Sequence, residues 1–243
     1  MNILILGANS DVAFSIARIF AEKEQANFYL ASRNMPLLQK KATDLEVRYP
    51  VKARALYFDA LDFASHAAFY EALSPKPDGV VLAFGDMGSE ETARRQFEEA
   101  RRIIDVNFTG AVSILEIIAA DFERRGHGFI IGISSVAGER GRQSNYIYGS
   151  AKGALSLYLS GLRNRLCKRS VKVITVLPGF INTKMTAHLD LPEKLTARPE
   201  DVARDVYQAY IKNENIVYSR WFWKWIMWVI KVIPENIFKK LNL

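Results

Sequence analysis

The sequence predicts a doubly wound α/β fold: a mainly parallel sheet of seven strands with helices on both faces. Two observations carry this. Short runs such as NILIL and VKVITVL are apolar at successive positions, so both faces of each strand are expected to be buried. These runs alternate with segments of helical period, with no repeat and no low-complexity linker between them.

Taken in order, residues 2–6 (NILIL) read as the first strand, and Gly7 opens a turn into a helix from Asp11 to Glu24. That helix carries Val12, Ile16, Ile19 and Phe20 on one side. FYLAS (28–32) is the second strand, and the segment from Leu37 to Tyr49 the second helix. ARALYF (53–58) is the third strand, followed by a helix from Phe63 to Leu73 that stops before Pro75 and Pro77. GVVLAF (79–84) is the fourth strand. A long helical stretch, readable as two helices, runs from Ser89 to about Arg125. GFIIGIS forms the fifth strand, ending at Ser134 or Ser135; 144–168 is helical; and VKVITVL (171–177) is the sixth strand. A helix from Pro199 to Lys212 has its proline at the start, where a missing N–H costs nothing, and IVYS (216–219) is the seventh strand. The unbroken alternation predicts one domain over residues 1–219, with 220–243 as a helical extension.

With 243 residues and 49% hydrophobic content, the chain can bury a sizeable core. The 33 basic against 26 acidic residues give a net charge of +7, which suits an anionic cofactor or membrane surface. That charge is too diffuse to predict nucleic-acid binding. The lone Cys167 fits a reducing compartment, so a cytoplasmic location is expected. His66, His127 and His188 lack metal spacing, and no metal is expected. No signal peptide is read at the N-terminus, and no stretch of about 18 uncharged apolar residues predicts a spanning helix.

The stretch from Ser135 to Lys152 is the candidate site. Tyr148 and Lys152 are four apart and share a helix face, so an ammonium can stand beside a phenol. Ser135 adds a hydroxyl at a strand end. A Tyr-x-x-x-Lys pattern alone is a common chance match. A working phenol near neutral pH needs its pKa lowered by about 3, about 4 kcal/mol. Lys152 and the positive charge of an oxidised nicotinamide are expected to supply that together. In a doubly wound sheet the first strand-to-helix turn faces a pyrophosphate. Here the turn comprises Gly7, Asn9, Ser10, Asp11 and Val12, with Ser10 or Asp11 expected to cap the helix. Arg33, just after the second strand, suits a 2′-phosphate, so NADP(H) is expected ahead of NAD(H).

In this order and spacing, Gly7, Asp59, Gly85, Asn107 in DVNFTG, Ser135, Tyr148, Lys152, Pro178-Gly179 and Thr183 resemble the short-chain dehydrogenase/reductase family in its single-domain form. The resemblance covers residues 1–219 and implies a Rossmann-type domain. It implies Tyr148 as proton donor or acceptor, Lys152 lowering its pKa and binding the nicotinamide ribose, and Ser135 holding the substrate oxygen. It implies Asn107 holding a relay water, Ile181 and Thr183 at the carboxamide, and Asp59 with Ala60 at the adenine edge. It also implies a homo-oligomer, dimer or tetramer. The chain departs from the family where Asp11 and Ala13 replace two turn glycines, and where Leu82-Ala83-Phe84 precedes Gly85. Packing is expected to replace side-chain bracing there.

Residues 220–243 hold all four tryptophans and a side-chain charge of +4. Lys224 and Lys231 share a face, and Pro234 starts a second short helix with Ile237, Phe238 and Leu241. Two readings stand: a subunit interface or lid packed on the core, and an in-plane anchor at the inner face of a membrane. The tail and turn also resemble the reductase partner of decaprenylphosphoryl-ribose epimerisation, which implies a keto-sugar on a lipid phosphate.

The expected function is NADP(H)-dependent hydride transfer between nicotinamide and a small ketone or secondary alcohol. The alternative is a nucleotide-sensing scaffold that does not turn over substrate. A sugar-nucleotide epimerase would need a larger substrate domain. Pocket walls are expected from residues 86–100, 139–147 and 183–198.

Overall fold

A computed structural model of the chain describes residues 1–184, 186, 190 and 192–241; His188 and part of the 183–198 wall lie outside these. The strands are β1 (Asn2–Leu6), β2 (Asn27–Ser32), β3 (Ala53–Tyr57), β4 (Gly79–Leu82), β5 (Gly128–Ile133), β6 (Val171–Pro178) and β7 (Ile216–Ser219). They form one sheet in the order β3-β2-β1-β4-β5-β6-β7. Every pairing is parallel. Chain direction reverses its walk across the sheet between β1 and β4, which opens a crevice beyond their carboxyl ends.

The helices are α1 (Asp11–Glu24), α2 (Met35–Arg48), α3 (His66–Glu71), α4 (Glu90–Arg95), α5 (Phe97–Ile104), α6 (Gly110–Arg125), α7 (Tyr146–Leu166), α8 (Pro199–Lys212), α9 (Phe222–Val232) and α10 (Glu235–Phe238). Strand alternation splits the core. Ile3 and Ile5 join Phe20, Leu38 and Val206 on the side of α1, α2 and α8. Leu4 and Leu6 join Ile118, Phe122 and Leu159 on the side of α3, α6 and α7.

Two helical expectations needed revision. The helix predicted from Phe63 opens as a 3-10 turn over Phe63–Ser65 and ends at Glu71. The stretch predicted as two helices is cut at Gln96, whose backbone is extended, and α5 then runs through a π-helical turn, Asp105–Thr109, into α6. By length and hydropathy Phe97–Arg125 could cross a membrane. Its apolar residues Ile103, Ile114, Leu115 and Ile118 are instead wholly buried against the protein.

The extension folds back on the carboxyl end of the sheet. Trp223 and Met227 of α9 are buried with Val136 and Leu177. Gly179 makes this possible, because a Cβ there would stand 1.9 Å from the Trp223 indole. Arg140 fastens the far end of α9. Its guanidinium donates to the carbonyls of Ile230 (2.5 Å), Lys231 (3.1 Å) and Ile233 (2.8 Å), capping a helix C-terminus. It also pairs with Glu235 (3.0 Å) and lies 3.7 Å from the Phe238 ring centre.

Substituting Gly179→Ala should therefore push Trp223 out of its seat. We expect a loss of about 1–3 kcal/mol in unfolding free energy and a red shift of tryptophan emission. Unchanged emission and stability would show that α9 is not held by this contact.

Candidate active site

The site is assembled where β4, β5 and β6 end. Ser135 follows β5 and caps a short 3-10 turn, its Oγ accepting from the Ala137 N–H at 3.1 Å. The neighbouring Ser134 ties the strand end to α7, donating to the Lys152 carbonyl at 2.9 Å and lying 2.7 Å from Ser156 Oγ. This fastening places Tyr148 and Ser135 in one cleft wall, where the Ser135 hydroxyl acts on the phenol.

Lys152 is 3% exposed. Its Nζ donates to the Ile133 carbonyl at 3.1 Å and stands 5.8 Å from the Tyr148 ring centre. Burial lowers its pKa to about 8. In the protein alone, burial pushes Tyr148 up to about 12, the Ser135 hydroxyl opposes this, and Asp86 adds to it. The lowering expected from Lys152 together with an oxidised nicotinamide belongs to the site with that cofactor bound. A phenol so placed is protonated throughout the neutral range, the form that donates a proton.

Asn107 sits in the π-helical turn, 1% exposed. Its amide donates to the carbonyls of Asp86 (2.6 Å) and Ile103 (2.8 Å), and its oxygen accepts from the Asp86 N–H at 3.2 Å. The side chain is thus committed to bracing the loop after β4, so a relay water would have to be held by other atoms of that turn. This bracing, with Phe84 packed on Phe58 (5.9 Å between ring centres), stands where the sequence lacks the usual polar residues. Arg102 pairs with Asp86 and offsets its charge.

Gly7 has φ +86°, and a Cβ there would stand 2.5 Å from the Phe84 backbone N, so only glycine suits the turn. Ser10 occupies the cap position of α1 without a side-chain cap bond, unlike the expectation. Asp11 accepts weakly from the Lys184 N–H at 3.4 Å. Asn9 donates to Ser32 Oγ (3.1 Å) and the Asn34 carbonyl (2.9 Å), which joins the turn to the end of β2 near Arg33. Lys41, missed in the sequence, donates to the carbonyls of Ala8 (3.3 Å), Asn9 (3.0 Å) and Ser10 (3.3 Å). Its burial lowers its pKa and Asp11 opposes that. His66 pins the Asp59 carbonyl at 3.0 Å.

One cleft of about 670 Å³ joins these parts. Every residue singled out for catalysis or cofactor binding lines it except Asn107. Of the expected walls, Asp86, Met87, Arg142, Ser144, Asn145, Thr183, Lys184, Thr186 and Asp190 contribute, and residues 88–100 do not. Trp223 and Phe180 also line it, and no local signal in the sequence placed the tail there. A larger cleft, about 1240 Å³, runs between α8, β7 and Lys224 but contains none of the Ser–Tyr–Lys set, so the chemistry lies in the smaller one. The glycine turn, Arg33 and the buried ammonium, all lining one cleft, fit a nicotinamide dinucleotide laid from Arg33 past Gly7 to Tyr148.

The chain matches the short chain dehydrogenase family over residues 1–194. It is 31% identical over 242 residues to an uncharacterized oxidoreductase of Mycobacterium tuberculosis, covering 98% of this chain and 96% of the relative. In fold it is similar to a short-chain dehydrogenase from Sphingobium yanoikuyae in complex with NADPH, with TM-score 0.83, 21% identity and 96% of each chain covered. It is also similar to a 3-oxoacyl-[acyl-carrier protein] reductase from Brucella melitensis with bound NAD, with TM-score 0.78, 22% identity, 90% of this chain and 89% of that one covered. The protein belongs to the short chain dehydrogenase family and is an NAD(P)-dependent oxidoreductase.

The Lys152 shift makes stability depend on pH. The folded pKa of about 8 lies below the ordinary lysine value of 10.5, so the unfolded chain holds the proton more tightly. The cost of burying the charge is full below about pH 8 and vanishes as pH rises toward 10.5. Comparing wild type with Lys152→Met by denaturant titration should show wild type gaining relative stability across that window. A difference independent of pH would mean Lys152 is not buried as a cation.

Proposed function

We propose that this protein is an NADP(H)-dependent carbonyl reductase or alcohol dehydrogenase whose substrate is lipophilic or lipid-linked. The observation that carries the chemistry is the meeting of Ser135, Tyr148 and the buried Lys152 in one cleft. A nicotinamide dinucleotide bound in the cleft supplies or accepts the hydride. Ser135 orients the carbonyl oxygen, and Tyr148 delivers its proton there as the oxygen gains charge. Lys152 offers a fixed cation below them. The preference for NADP(H) is supported by Arg33 on the cleft wall and by the NADPH complex among the similar structures.

The tail supports the lipophilic part of the reading. While Trp223 and Met227 face inward, Trp221, Trp225, Trp228, Val229, Val232 and Ile237 are each more than half exposed. Lys224, Lys239 and Lys240 are also exposed in the same tail. Exposed tryptophans and lysines on one short tail suit the in-plane binding of an anionic bilayer. A keto-sugar on a lipid phosphate is one substrate such an enzyme could meet there.

Two experiments test this. Loss of NADPH or NADH absorbance is followed against a panel of ketones, with Tyr148→Phe expected to lower kcat by at least about 100-fold. Cofactor binding without turnover of any ketone, and no effect of the substitution, would favour the scaffold. For the tail, flotation with anionic liposomes compares wild type with the triple variant Trp221→Ser, Trp225→Ser, Trp228→Ser, which spares the residues packed on the core. We expect wild type to float and the variant to remain below; equal behaviour would sink the membrane reading.

A further inference from the structure

Four residues lining the cleft carry a buried polar atom with no hydrogen-bond partner among the described residues: Asn9 Oδ1, at the turn after β1, and Arg142 Nε, Asn145 Oδ1 and Trp223 Nε1. The last three belong to its substrate end. Asn145 immediately precedes α7, one helical turn before Tyr148. Trp223 lies against Gly179, and Arg142 Nη2 donates to Met227 Sδ at 3.3 Å, one turn along α9 from Trp223. The turn at Gly7 and Arg33, which would face the cofactor phosphates, follow β1 and β2, whereas Arg142 lies between β5 and α7.

Arg142 is the anomaly of this group. A thioether is a weak acceptor, so the guanidinium has given up water for little return. Burial lowers its pKa, with Glu139 opposing. Glu139 Oε1 accepts from Tyr218 (2.8 Å) and Lys231 (2.5 Å), while its Oε2 is buried without a hydrogen-bond partner among the described residues and makes no bond to Arg142. Buried donors without acceptors are rare in folded proteins, and at a cleft wall they mark where a ligand completes the bonding. Arg142 and Trp223 offer N–H groups only, whereas Asn145 Oδ1 accepts.

We infer that the substrate carries an oxyanion, a phosphate ester or a carboxylate, on the side of its carbonyl facing α9, held by Arg142 with Trp223 Nε1. A hydroxyl or amide N–H beside that group donates to Asn145. The tail then contributes to specificity directly, because Trp223 supplies one donor and Met227 positions the other. This inference rests on the proposed carbonyl chemistry for its substrate and on the geometry of the cleft for its anion.

The test uses matched ketones in the presence of saturating NADPH: dihydroxyacetone with its phosphate, and ethyl acetoacetate with acetoacetate. The reading is the ratio of kcat/KM for the charged over the neutral member. We expect wild type to favour the charged member of at least one pair, and which pair it is tells phosphate from carboxylate. Arg142→Met should reduce that ratio about 10- to 100-fold, mainly through KM. Arg142→Lys should restore part of it, and Trp223→Phe, which keeps the ring and removes the N–H, should give a smaller loss. In parallel, calorimetric titration of the NADP⁺-saturated protein with phenyl phosphate and with benzoate should show binding that Arg142→Met abolishes. Arg142-dependent binding without turnover of any ketone would keep the anion subsite and sink the carbonyl reading. Equal ratios and equal heats in wild type and variants would overturn the inference.

Discussion

Everything at the site depends on keeping one ammonium out of water. Lys152 is 3% exposed, and among the described residues no carboxylate pairs with it. A buried cation without a counter-charge is expensive, on the order of several kcal/mol, so the surrounding backbone has to hold it. The Ile133 carbonyl accepts from it directly. Ser134 holds the Lys152 carbonyl, which fixes α7 against the end of β5. Gly85 lets the loop after β4 approach, with the Lys152 Nζ and Asn107 Oδ1 both within 3.2 Å of where a Cβ would sit. Sheet, helix and loop converge on that charge, and Tyr148 is placed by the same convergence.

The same enclosure explains why the phenol rises in the protein alone. A lysine four residues on shares its helix face, but proximity alone does not decide a pKa. Removal of water from the hydroxyl raises it, and the ammonium directs its hydrogen bond elsewhere. The protein by itself therefore sets up a proton donor. Turning the residue into a base requires added positive charge in the cleft, which an oxidised nicotinamide provides.

The fold was largely legible because its signals are local. Two-sided apolar runs marked each strand, and β1, α1, α8 and β7 begin and end where the sequence placed them. The Ser–Tyr–Lys spacing located the site for the same reason, since α7 and the end of β5 carry it within eighteen residues, 135–152. What escaped was produced by contacts between distant segments. Lys41 reaches the carbonyls of Ala8, Asn9 and Ser10 from another helix. Asn107 turns to the Asp86 backbone because a π-helical turn redirects it. Trp223 enters the cleft because Gly179 leaves room for an indole. None of these follows from periodicity, because each depends on where a second segment lies.

The tail draws the cleft and the outer surface into one element. Along α9, about 100° separates successive side chains. Trp223 and Met227, four apart, therefore share the inner face, while Trp221, Trp225 and Trp228 project away from it. A helix is only about 10 Å across with its side chains, so the exposed tryptophans and the cleft wall are separated by a single helix. Arg140 locks the C-terminal end of that helix through three carbonyls and Glu235, so α9 cannot slide without breaking them. The exposed tryptophans, Trp223 in the cleft wall and Met227, which accepts from Arg142, are thus carried by one rigid rod.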